Sequence, residues 1–197
     1  MVQPVRARGL NEHRFMALSD YHFVSHWRVE GTCAEVADVI GDVESLPRWW
    51  PSVYLDVQVI EPGGEHGVGK VVSLYTKGWL PYTLRWQFRV AESRHPYGST
   101  IEALGDLAGR GIWTFRQDGA CVDITYDWRI RARKPLISAF SFLLKPLFAF
   151  NHRWAMARGE ESLHLELLRR RARTDAERAR LPPPPPPTFP HNRRQRS

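Results

Sequence analysis

Residues 82–90 read Tyr-Thr-Leu-Arg-Trp-Gln-Phe-Arg-Val, and the reading of this stretch decides the fold class. Tyr82, Leu84, Trp86, Phe88 and Val90 fall on one side, Thr83, Arg85, Gln87 and Arg89 on the other. Successive side chains of a strand point to opposite faces, so this is a half-buried strand with an aromatic inner face. Residues 122–131 repeat the pattern, with Val122, Ile124, Tyr126, Trp128 and Ile130 inside and Asp123, Thr125, Asp127, Arg129 and Arg131 outside. Between and before them lie further strand segments at 53–61, 70–77, 100–104 and 111–117. Pro62-Gly63-Gly64, Gly78-Trp79-Leu80-Pro81 and a turn rich in glycine (Gly105, Gly109, Gly111) separate them. Consecutive strands with short turns predict an antiparallel meander.

Outward from the meander, Tyr21 to Glu30 alternates as another half-buried strand, with Tyr21, Phe23, Trp27 and Val29 on one side. Thr32 followed by Glu35 forms a capping box, and Val36, Val39 and Ile40 give a short helix ending near Gly41. Glu44 to Arg48 reads as a second helical turn. The last third is helical: Pro135 to Phe150 is apolar on nearly every side, and Pro146 is expected to end one helix and open the next. Leu147, Phe150, Trp154, Arg158, Glu161, Leu165 and Leu168 then recur at helical spacing to about Arg171. One strand, two short helices, six strands and a long helix predict an α+β helix-grip fold, a curved antiparallel sheet wrapped around the C-terminal helix. A two-layer sandwich would leave that helix without a partner.

At 197 residues and 43% hydrophobic, the chain suits one domain with tails. Cys33 and Cys121 are too few for a disulfide scaffold or a cysteine zinc site. No uninterrupted apolar run reaches about 18 residues, so the cytoplasm is the expected compartment. The net charge of +7 sits wholly in residues 169–197, which hold nine arginines and two acids; residues 1–168 carry nineteen of each sign. A neutral body has no basic footprint, so no specific nucleic-acid partner is expected. Residues 1–20 read as a disordered extension, with Met16 an alternative start, and 172–197 as a disordered Arg/Pro-rich tail with six prolines at 182–187. The domain is expected at 21–171.

Several segments resemble the START-like superfamily, and within it the polyketide cyclase/dehydrase and lipid-transport group (SRPBCC). They are Asp42-Val43-Glu44, Leu46-Pro47-Arg48-Trp49-Trp50-Pro51, Gly78-Trp79-Leu80-Pro81-Tyr82, Gly105-Asp106-Leu107 with Gly109, Tyr126-Asp127-Trp128, and Asn151-His152-Arg153-Trp154-Ala155-Met156 with Gly159-Glu160. The resemblance covers about 21–171 and implies a deep apolar cavity between sheet and helix. It does not choose a chemistry, because the superfamily includes cyclases, aromatases, lipid carriers and hormone receptors.

Eight tryptophans are a heavy load, and Trp86, Trp113 and Trp128 fall on the apolar sheet face with Leu84 and Phe88. They read either as a packed core or as the wall of a site for a flat or long apolar ligand. If Lys77 pairs with Tyr82 across the hairpin, Tyr75 joins that face, and Tyr126 adds a second hydroxyl. Phe150, Asn151, Trp154 and Arg158 are the candidates from the helix. No catalytic motif matches, and no cofactor or metal is expected. Gly64 to Lys70 has Walker A spacing, but Val71 follows where Ser or Thr is needed. His22 and His26 share a polar strand face without a third ligand. Cys33 at a helix start reads as a structural thiol. Trp79, Leu136 to Phe150 and the arginine-rich tail are candidates for peripheral contact with anionic membrane. The expected function is binding of a hydrophobic small molecule as carrier or sensor. The alternatives are a cyclase-like enzyme needing no metal or nucleotide, and an adaptor acting through the tail.

Overall fold

A computed structural model describes residues 20–132 and 141–189. The expectations for 1–19, 133–140 and 190–197 lie outside the described residues. Seven strands form one antiparallel sheet in the order β1-β7-β6-β5-β4-β3-β2. They are β1 (Asp20–Glu30), β2 (Tyr54–Glu61), β3 (Val71–Lys77), β4 (Thr83–Ser93), β5 (Gly98–Gly105), β6 (Leu107–Asp118) and β7 (Cys121–Ala132). The meander runs from β2 to β7, and β1 closes the far edge along β7, Trp27 opposite Ile124. Between β1 and β2 lie α1 (Cys33–Gly41), a 3₁₀ turn (Val43–Ser45) and α2 (Leu46–Trp49). The expected capping box starts α1: Thr32 accepts from the Glu35 backbone and Glu35 from the Thr32 backbone. The sheet's concave face holds α3 (Ser141–Arg171), as the helix-grip reading requires. Edge strand β1 is tied to that helix where the Arg28 N–H donates to Glu160 at 2.8 Å.

Two acids anchor the end of α3. Glu166 is 1% exposed and takes a two-pronged hydrogen bond from Arg48, 2.8 Å to each oxygen, with Arg170 at 2.9 Å. Burial alone would raise its carboxyl; the two guanidiniums outweigh that and hold it below the ordinary range. Arg171 hydrogen-bonds Glu35 at 2.7 and 2.8 Å and, with the Thr32 contacts, lowers that carboxyl to about 2. The capping residue of α1 thus also clamps the end of α3.

Three local expectations change. Pro146 does not divide two helices; it sits inside α3. The sixth described residue of the helix, it removes one intrahelical bond, and packing carries the helix through. The glycine-rich turn shrinks to Asp106, with Gly109 and Gly111 inside β6. Gly109 has φ +154 and an added Cβ would lie 2.0 Å from the Arg129 carbonyl, so the neighbouring strand needs a glycine there. The tail after α3, expected to be disordered, carries α4 (Asp175–Arg180), started by a second capping box at Thr174 and Glu177. From there residues 181–189 run back along the body. Arg169 donates to the Pro182 carbonyl, Pro185 is buried, and the Thr188 hydroxyl donates to the Trp79 carbonyl at 3.1 Å.

Candidate functional site

The curved sheet and α3 do not meet everywhere, and a cavity of about 550 Å³ lies between them. That volume is within the usual range for sites that bury a small molecule. The sheet supplies Leu84, Trp86, Phe88, Trp113, Tyr126 and Trp128, all six lining the cavity as the alternation of β4, β6 and β7 predicts. Trp113 stacks on Tyr126 at 4.0 Å, and Trp86 lies 5.7 Å from Trp128. The Trp86 indole donates to the Thr76 hydroxyl at 3.0 Å, which fixes its plane. The segment of α1 and α2 adds Ile40, Leu46, Trp49 and Trp50, and β1 adds Tyr21 and Phe23.

Tyr75 is a correction. Lys77 pairs with Thr83, not Tyr82, so Tyr75 lies opposite Arg85. A one-residue slip turns every side chain of a strand to the other face. Val72, Leu74 and Thr76 therefore face inward, and the Tyr75 ring lies outside with the Arg85 guanidinium 4.4 Å from its centroid.

The helix contribution is corrected in phase. Asn151 lines the cavity, while Phe150, Trp154 and Arg158 do not. Phe150 is 42% exposed with its ring 5.4 Å from Trp79, Trp154 is half-buried, and Arg158 pairs with Glu161 at 2.8 Å. The inward stripe is Phe148, Asn151, His152, Ala155 and Met156, continued by Gly159 and Leu163. Apolar residues on every side of this helix hid that phase. Asn151 holds the β3–β4 turn by accepting from the Leu80 N–H at 3.0 Å.

His152, quoted in a family-like segment but given no role there, is the main inner titratable group. It stacks on Phe23 at 4.3 Å and lies 3.2 Å from the Ser25 hydroxyl. Burial, with Arg153 nearby, lowers its pKa to about 4, so it is neutral at pH 7. Burial pushes the Tyr82 hydroxyl up to about 12 and those of Tyr54 and Tyr126 upward as well. All three phenols stay protonated donors. Three further polar atoms of wall residues, Tyr21 Oη, Trp49 Nε1 and Trp50 Nε1, are buried without a hydrogen-bond partner. The wall is therefore largely apolar, and the three phenols are protonated polar groups among its residues.

At the β5 end of the cavity, His95 lies 3.2 Å from Asp38 and stacks on His66 at 4.6 Å. Among the described residues no cluster of three metal-ligating side chains occurs. His22 pairs with Asp127 on the outer face, and both cysteines are free. Burial raises the Cys33 thiol, which suits a structural residue.

A curved seven-stranded sheet around one long helix, with an apolar cavity between them, defines a START-like, helix-grip protein. The chain belongs to the family described as polyketide cyclase / dehydrase and lipid transport, which it matches over residues 21–163. No curated protein matches the sequence. Among solved structures it is similar to the Zhui aromatase/cyclase of Streptomyces sp. R1128, with 16% identity, 78% of this chain and 97% of that one covered, and a TM-score of 0.62. It is also similar to TTHA0849 of Thermus thermophilus, with 13% identity, 77% and 100% coverage, and a TM-score of 0.61. For norcoclaurine synthase of Thalictrum flavum the values are 14%, 78% and 97%, and 0.51. At these identities the likeness concerns the fold.

Proposed function

We propose that the protein binds a hydrophobic small molecule in the cavity between sheet and helix, as a carrier or sensor. One observation carries this reading: a cavity of about 550 Å³ with a largely aromatic wall that includes the protonated phenols Tyr54, Tyr82 and Tyr126. A wall of this kind suits a flat or long apolar molecule with a few acceptor oxygens, such as a lipid or an aromatic polyketide. Native mass spectrometry of the purified protein followed by organic extraction is the test. An unchanged apolar molecule released on extraction is expected. A protein that yields none, and saturably binds no apolar fluorophore, refutes the reading.

A cyclase-like enzyme is the second reading, and the Asp38–His95 pair at the cavity wall favours it. A histidine held by a carboxylate can move protons in aldol closure and dehydration. Conversion of a poly-ketone probe to an aromatic product, lost in His95→Gln, would establish it. Peripheral membrane contact completes the proposal: Trp79, Leu147 and Phe150 form an exposed apolar group beside the cavity. Among the described residues no helix is long and apolar enough to cross a membrane.

A further inference from the structure

Lys77 ends β3 only 4% exposed, and among the described residues no carboxylate pairs with it. Its Nζ donates to the Phe189 carbonyl at 3.3 Å and lies 5.1 Å from the centroid of the Phe189 ring. Both contacts come from the returning segment 181–189. A neutral carbonyl at that distance and a ring face compensate a desolvated ammonium weakly; a formal anion is the partner such a group favours. Burial lowers the Lys77 pKa, as befits a cation short of a counter-charge.

The position of Lys77 matters as much as its state. Strand alternation puts its side chain in phase with Tyr75, off the concave face, yet Lys77 and Gly78 belong to the cavity wall. Lys77 therefore belongs to the rim, where the cavity wall meets the outer face at the β3–β4 turn. The returning segment lies on the same rim: Thr188 donates to the Trp79 carbonyl, and the Phe189 ring lies 6.4 Å from Trp79. A proline run is pre-extended and loses little freedom when it lies down, so residues 181–189 act as a strap held at one end by Arg169.

Resting on the cavity reading, we propose that Lys77 is the head-group site of the cavity, selecting an apolar ligand that carries a carboxylate, and that the Phe189 end of the strap occupies this site until such a ligand displaces it. The strap carbonyl then stands where a carboxylate oxygen would bind, and the Phe189 ring covers the ammonium from water.

Dodecanoate and dodecanol share one apolar chain and differ in the charge of the head. Their affinities are measured at pH 7 by calorimetry on the full-length chain, on Lys77→Met and Lys77→Arg, and on the double variant Thr188→Val/Phe189→Ala. Wild type is expected to bind the carboxylate at least about tenfold more tightly than the alcohol. Lys77→Met is expected to lose this preference and keep its affinity for the alcohol, while Lys77→Arg retains it. The strap variant is expected to bind dodecanoate several-fold more tightly than wild type. Equal binding of acid and alcohol by wild type, or an undiminished preference in Lys77→Met, overturns the proposal and leaves the cavity reading standing. Should Lys77→Met fail to fold, the strap variant decides, and unchanged dodecanoate affinity there overturns the strap's role. Failure of every variant to bind either probe overturns the cavity reading itself, and the proposal with it.

Discussion

Replacing Gly159 by alanine is expected to destabilise the protein although the residue sits inside a helix. At an exposed helical position the same change gains about 1 kcal/mol. Here a Cβ built on Gly159 would lie 2.3 Å from Trp50 Cζ2 and 2.7 Å from Cε2 and Cη2. Carbon atoms settle at about 3.5–4.0 Å, so the indole would have to retreat by roughly 1 Å. Tyr54, Trp27 and Trp49 crowd it with ring centroids at 5.1, 5.5 and 5.6 Å, which leaves the cavity it lines as its way out. Overpacking costs about 1–3 kcal/mol, which leaves a net loss of up to about 2 kcal/mol after the helix gain. In a chain of this size that lowers the melting midpoint by up to about 8 °C. Gly41, the last residue of α1, is the control, because a Cβ there meets nothing within 4 Å. Gly41→Ala is expected to stabilise by about 0.5 kcal/mol, mainly by restricting the unfolded chain. Urea unfolding followed by far-UV circular dichroism reads both variants without relying on the displaced tryptophan. A Gly159→Ala protein more stable than wild type would show that α3 does not press against Trp50, and would refute the reasoning.

Trp86→Ala enlarges a space already hollow, so its cost is expected to fall below the roughly 3–5 kcal/mol of a fully packed tryptophan, with a change in probe affinity; a full penalty with no probe bound in wild type contradicts this. The depressed pKa of His152 fixes the sign of a pH effect. The unfolded chain accepts a proton near pH 6.5 that the folded protein resists until about 4, so stability is complete above 6.5 and falls as pH drops toward 4. The loss is up to about 3 kcal/mol. His152→Phe should flatten urea midpoints over that window, and an unchanged slope would count against the assignment. Trp79→Ser with Phe150→Ser is expected to reduce flotation with phosphatidylserine vesicles at high salt, since both rings are exposed. Wild type that floats at no salt concentration removes membrane contact from the proposal.

Much of the site was legible because a strand repeats every two residues. Once 82–90 and 122–131 are read as half-buried strands, Leu84, Trp86, Phe88, Tyr126 and Trp128 must share a face, and they do. The capping box at Thr32 and Glu35 was legible for a similar reason, since it involves residues three apart. Tyr75 was misplaced because its face depends on which residues close the hairpin, and the turn 78–82 accommodates either register. Phe150, Trp154 and Arg158 were misplaced because an apolar stretch without a polar side does not declare its phase. What turns His152 and Gly159 inward is packing against β1 and Trp50, contacts between residues more than a hundred positions apart.

The sequence by itself determined the element order, the inner face of most strands and the helix-grip architecture, because those follow from local periodicity and from the need to cover one apolar surface with another. Only the tertiary structure decided that sheet and helix leave about 550 Å³ between them, since a packed core and a hollow one share the same alternation. It alone placed Glu166 between Arg48 and Arg170, and Lys77 beneath Phe189. Burial of a charge depends on what the remote chain brings to it, and neighbours in sequence carry no trace of that.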